Sequence, residues 1–236
     1  MTEFELVPTF GHRLEAAIAQ YSSLCLGLDP HPGLLQQWGL GDDVAGLSSF
    51  SRTVVEAGAG NVGILKPQVA LFERFGSAGL AVLEQVIKEA QAAGMLVIND
   101  AKRGDIGSTM QAYADAWLGD NSPLAGDAVT LSPYLGFESL RPAISLAQKT
   151  NRGVFILALT SNPEGASIQH RGQEGQSVAA AIVKATEDEN DFFTSTLMEP
   201  TRFGPVGLVV GATVAEQARE LGIDLARSKA ALLAPG

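Results

Sequence analysis

The residues best equipped for chemistry stand together in Asn99-Asp100-Ala101-Lys102-Arg103-Gly104-Asp105-Ile106-Gly107, directly after the apolar run 95–98. Charges at the end of a buried run need partners, because an unpaired buried charge is costly. Asp100 and Lys102 are two apart at a predicted strand end, so period-two alternation puts both on one side. Asp105 follows in a loop, ahead of a helix predicted to begin near Ser108. Lys66 is the second unusual residue. It closes the apolar run 62–65 and precedes Pro67. Alone it would snorkel to water. If the two strand ends are neighbours, Lys66, Asp100, Lys102 and Asp105 form an array of alternating sign. Opposite charges roughly 4 Å apart attract by about 4 kcal/mol at an effective dielectric near 20. Such carboxylates stay ionised and such lysines stay protonated. A held ammonium is a poor nucleophile and a good proton donor. The array therefore suits proton delivery to a developing carbanion better than Schiff-base chemistry, which needs a neutral amine. The plainer alternative is a structural ion pair.

Weaker candidates stand at other predicted strand ends. Asp29 either accepts hydroxyl groups of a ligand or makes an Asp-Pro turn. Thr109 and Thr213 each either cap a helix or touch a ligand. Ser161, in Thr160-Ser161-Asn162-Pro163, either bonds a polar ring or makes a turn. Cys25, the single cysteine, lies in an apolar run and reads as an inert core thiol. It excludes an intrachain disulfide framework and points to a reducing, cytoplasmic setting. His12, His31 and His170 lack metal-ligand spacing. A dinucleotide fingerprint, a phosphate-binding P-loop and a nucleophile elbow are all missing.

The elements that would carry these residues are short runs rich in Val, Ile and Leu at 24–28, 62–65, 96–99, 128–131, 154–159, 208–210 and 232–234. Without polar alternation they read as parallel strands buried on both faces. Between them lie amphipathic patterns: Leu80, Leu83, Ile87 and Ala90 with Gly94 as the stop, then Ala112, Ala116 and Trp117, then Val214, Ala218 and Leu221. Alternating strands and helices, with polar residues just beyond the strand ends, predict a (β/α)8 barrel. A doubly wound open sheet is the runner-up, and would bind at one switch point only. An eighth βα unit is expected beyond Gly236, so the last unit reads as missing from the sequence in hand. Residues 1–236 read as one domain, with 187–204 as an irregular insertion or loop. The chain of 236 residues carries a net charge of −10, which argues against a general nucleic-acid surface. No apolar run reaches the roughly 18 residues of a membrane helix, and Glu3 and Glu5 sit where a signal peptide would be basic.

The string Asp100-x-Lys102-x-x-Asp105-Ile106 resembles the signature of orotidine 5′-phosphate decarboxylases. Leu26-Gly27-Leu28-Asp29-Pro30, Leu65-Lys66-Pro67-Gln68, Val209-Val210-Gly211-Ala212-Thr213 and Leu233-Ala234-Pro235-Gly236 resemble the bacterial type 2 subfamily. The resemblance implies a homodimeric barrel that converts orotidine 5′-phosphate to UMP and CO2 in pyrimidine biosynthesis, with no metal or organic cofactor. It implies that Lys102 protonates C6 of the pyrimidine and that Asp100 lies beside the substrate carboxylate. Lys66 would complete the network. Asp105 and Ile106 would reach the neighbouring subunit's site. Asp29 and Thr109 would touch ribose, and Ser161 and Thr213 the pyrimidine. A phosphate-binding loop and arginine would follow Gly236. The alternatives are a magnesium-dependent sugar-phosphate decarboxylase or synthase of the same superfamily, which needs a carboxylate where Lys66 stands, a Schiff-base aldolase, and a barrel without activity.

Overall fold

The computed structural model describes residues 7–235 except 174 and 227. Glu3, Glu5 and Gly236 lie outside the described residues. Two compact units emerge: one of Ala16–Ala101 and Asp115–Val129, the other of Lys102–Ala114 and Thr130–Gly236 with the described part of Met1–Glu15.

In the first unit, β1 (Cys25–Leu28) pairs in parallel with β2 (Ile64–Pro67), Leu26 opposite Leu65 and Gly27 opposite Lys66. β2 pairs in parallel with β3 (Leu96–Arg103), Leu65 opposite Val97. The Asp127 amide donates to the Val97 carbonyl at 2.8 Å, which seats the start of β4 (Ala128–Leu131) beside β3. In the second unit the end of β4 meets the end of β3, where the Ser132 amide donates to the Arg103 carbonyl at 2.7 Å. There β5 (Gly153–Leu159) pairs in parallel with β6 (Val206–Val210), and β6 with β7 (Leu232–Leu233). Strand neighbours thus follow chain order. All seven predicted strands are present among the described residues. β2 begins two residues later than its apolar run, because Val62 still closes the helix before it by donating to Gly58. β3 runs on through four polar or small residues: the Asp100 carbonyl accepts from the Val69 amide, the Lys102 amide donates to Thr130 Oγ1, and the Arg103 carbonyl accepts from the Ser132 amide.

Helices α1 (Phe10–Tyr21), α2 (Val44–Gly58), α3 (Gly76–Ala92), α4 (Gly107–Leu118), α5 (Arg141–Lys149), α6 (Val178–Ser195) and α7 (Ala215–Glu220) alternate with the strands. Asp43 caps α2 by accepting the Gly46 amide at 2.8 Å. α3 buries Leu83, Val86, Ile87 and Ala90, close to the predicted face, and the chain turns at Gly94. Each buried leucine, valine or isoleucine contributes roughly 1.5–3 kcal/mol. In α4 the buried face is Met110, Ala114 and Trp117 rather than one through Ala112, which is exposed. Alanine carries too little apolar area to define a face. No helix of the described residues is long and apolar enough to cross a membrane.

Residues 187–204 are not irregular throughout. α6 continues to Ser195, and only the stretch after it lacks regular structure. The acidic run is held in the helix by its partners. Ser177 caps the start of α6 by accepting the Ala180 amide at 3.1 Å. Lys184 pairs with Asp188 at 2.7 Å, Arg141 with Glu189 at 2.6 Å, and Lys229 with Asp191 at 2.8 Å. The fully buried Asn190 spans the start of β6: its Nδ2 donates to the Val206 carbonyl at 2.7 Å, and its Oδ1 accepts the Val206 amide at 3.1 Å. Gly204 lies so close that a Cβ there would collide with this carboxamide.

Candidate active site

The ends of β1, β2 and β3 are stitched together before any side chain is considered. The Gln68 amide donates to the Leu28 carbonyl at 3.0 Å, and the Val69 amide to the Asp100 carbonyl at 3.2 Å. On that frame Lys66 Nζ lies 3.1 Å from Asp100 Oδ2, with side-chain exposures of only 14% and 9%. Gln68 Nε2 donates to the same oxygen at 3.2 Å. Taking both charges out of water costs several kcal/mol each, so a pair so placed is weak evidence of stabilisation and better evidence of a site. Asp29 follows β1, half-buried. The Cys25 thiol reports how these charges gather. Burial pushes it up from its ordinary 9.0 to about 11; Lys66 pulls it back, and Asp100 and Asp29 add to the rise. The thiol is therefore protonated at neutral pH.

Lys102 departs from the expected geometry. Residues 96–101 are all buried, so β3 has no inside-outside alternation for Lys102 to continue. Lys102 itself is exposed, and its φ of 50° leaves the extended region altogether. Its amide donates to Thr130 Oγ1 at 2.9 Å. Asp105 is half-buried and its carboxylate accepts the Ile106 amide at 2.8 Å. Ile106 is 61% exposed.

Thr109 is the third residue of α4, inside the helix and exposed, so it is not the residue that precedes and caps it. Thr213 is exposed after β6, and the position before α7 belongs to Val214. That removes the helix-cap reading for both threonines. Ser161 follows β5 beside Gly211, whose amide donates to the Leu159 carbonyl at 2.8 Å. Ser161 and Thr213 thus stand beyond the ends of paired strands. The structure joins Lys66 to Asp100 directly, with Asp29 acting on the same thiol.

Two residues escaped the sequence reading as site candidates. Gln68 was visible only within the string Leu65-Lys66-Pro67-Gln68. Thr130 had a physical signal: a hydroxyl inside the run 128–131 needs a partner if buried. Among the described residues, no group of three or more His, Cys, Asp or Glu is gathered as metal ligands.

Parallel strands alternating with helices, with charged and hydroxyl side chains at the strands' C-terminal ends, define an α/β enzyme of the (β/α)8-barrel class. Residues 22–236 match the orotidine 5′-phosphate decarboxylase / HUMPS family, and the chain belongs to that family. It is 54% identical over 230 residues to the orotidine 5′-phosphate decarboxylase of Streptomyces coelicolor, covering 96% of this chain and 78% of the relative. With the orotidine 5′-phosphate decarboxylase of a Nocardioides species the identity is 51% over 227 residues, covering 96% and 80%. A crystal structure from Streptomyces avermitilis superimposes with a TM-score of 0.89 at 53% identity, over 98% of this chain and 77% of that one.

Proposed function

We propose that the chain decarboxylates orotidine 5′-monophosphate to UMP and CO2 in pyrimidine biosynthesis. One observation carries this reading: the nearly dry Lys66–Asp100 pair at 3.1 Å, two residues ahead of Lys102. In the reaction the C6–carboxylate bond breaks and its electron pair stays on C6. CO2 departs, and the ammonium of Lys102 supplies the proton that completes UMP. Water then reprotonates the amine. The ammonium stabilises the carbanion as charge builds, which is where electrostatic catalysis acts. Asp100, held as an acceptor by Lys66 and Gln68, repels the substrate carboxylate more than the departing CO2. Binding of ribose and phosphate offsets that repulsion. Asp29 and Thr109 take the ribose, Ser161 and Thr213 the pyrimidine.

The chain acts as a homodimer in the cytoplasm, with Asp105 and Ile106 contributed to the partner's site. The exposure of Ile106 and the single cysteine support this. The magnesium-dependent alternative requires a carboxylate where Lys66 stands. The test follows the loss of orotidylate absorbance by the full-length protein, with and without EDTA. Turnover insensitive to EDTA is expected. Turnover abolished by EDTA and restored by Mg2+ overturns the reading. Mixing Asp105→Ala with Lys102→Ala subunits tests the shared site: partial recovery is expected, and no recovery refutes it.

A further inference from the structure

Three described residues other than glycine have a positive φ: Ser22, Lys102 and Asn151. Ser22 and Asn151 sit in the turns after α1 and α5, where such a conformation ends a helix. Lys102 instead lies within a strand, where nothing about the local chain calls for it. Left-handed backbone is disfavoured for any residue with a Cβ, and persists where the surroundings impose it.

The end of β4 imposes it here. Thr130 is fully buried, and as a β-branched residue it has few side-chain orientations open to it. Its Oγ1 accepts the Lys102 amide at 2.9 Å. The next carbonyl, of Arg103, accepts the Ser132 amide at 2.7 Å. The residue after that, Gly104, is pressed against the Ser132 carbonyl so closely that no Cβ fits. Three consecutive residues of β3 and its exit are thus shaped by Thr130 on β4 and Ser132 just beyond it. Only the first of these holds depends on a side chain.

We propose that Thr130 is a positioning residue for the decarboxylation: its hydroxyl fixes the left-handed backbone at Lys102 and thereby aims the proton-donating ammonium. This rests on the reading of Lys102 as the proton donor. Without the hydroxyl the Lys102 amide loses its acceptor on β4. The strand end then relaxes toward extended geometry, in which the lysine leaves its Cα in another direction. Misplacement of a reacting group by about 1 Å costs on the order of 10²-fold in rate.

The experiment compares Thr130→Val, which keeps shape and removes the hydroxyl, with Thr130→Ser, which keeps the hydroxyl. Thr130→Val should lower kcat at least tenfold with KM and UMP affinity changed less than twofold. Thr130→Ser should stay within about threefold of the parent. A kcat unchanged in Thr130→Val, or KM and UMP affinity lost along with kcat, overturns the proposal. A second arm does not depend on activity. If the backbone at 102 is held left-handed, Lys102→Gly should melt about 2–4 °C above Lys102→Ala, because glycine adopts that conformation freely. Equal melting, or a lower value for the glycine variant, overturns the proposal even if Thr130→Val does not fold. If the parent protein does not turn over orotidylate, the decarboxylase reading fails by itself, and the melting comparison still decides whether the backbone is held.

Discussion

Two stretches of this chain are dense in charge, and they use it in opposite ways. On α6, Glu187, Asp188, Glu189 and Asp191 point around a helix and are answered by cations from three elements: Lys184 on α6, Arg141 on α5 and Lys229 before β7. At the end of β3 the charges lie on the strand itself, and one of them, Asp100, is gripped by both Lys66 and Gln68, with side-chain exposures of 9% for Asp100 and 14% for Lys66. Charge density alone distinguishes neither stretch. What separates most of these pairs is the solvent: Lys184–Asp188 and Lys229–Asp191 are exposed and can be lost with little effect, while Lys66–Asp100 is shielded and cannot.

The largest contrast is in activity. Lys102→Ala should lower turnover by about 10³-fold or more, within or above the usual range of general acid catalysis, while UMP affinity survives. Near-normal turnover would remove the proton-donor role. The next contrast is in stability. Lys66→Ala removes the Lys66 ammonium from the buried Asp100 carboxylate and should cost about 3–5 kcal/mol in urea unfolding. Lys184→Ala breaks the pair to Asp188, whose side chains are 73% and 66% exposed. It should leave the urea midpoint almost unmoved, with kcat unchanged. Equal losses for the two would erase the distinction drawn above.

Smaller effects separate the regions by pH. The folded state holds the Cys25 proton more tightly than the unfolded chain does. Its contribution is constant at neutral pH and is lost as pH rises from 9.0 toward about 11. Cys25→Ala should flatten that fall in stability. On α6 the exception is Glu187, whose carboxyl is raised by burial first, then by Asp191 and Asp188. Ionised Glu187 therefore opposes folding above its own pKa. Glu187→Gln should raise the melting temperature slightly at pH 7, and the gain should vanish as pH falls and the glutamate protonates. A gain that grows on acidification would contradict the stated cause.

These regions also mark how far the sequence could be read. The strands were legible because buried parallel strands are continuous apolar runs, and the pairing of Lys66 with Asp100 followed from placing two strand ends together. Three features were not. The helix through 187–195 was hidden because its stabilising partners, Arg141 and Lys229, lie some 40 residues away on either side. The left-handed backbone at Lys102 was hidden because a lysine gives no hint of it; its cause is Thr130, on another strand. Gln68 was hidden because an amide carries no charge to be balanced, so its bond to Asp100 leaves no mark on composition.

Asn190 has a consequence for how this chain can drift. Its carboxamide stands in for a neighbouring strand by offering one donor and one acceptor to Val206. Aspartate would lose the donor, glutamine is a methylene too long, and Gly204 leaves no slack to absorb the difference. Neither position can be exchanged singly without forfeiting the grip of the sixth strand on its preceding helix. Among descendants of this sequence the two should be replaced together or not at all.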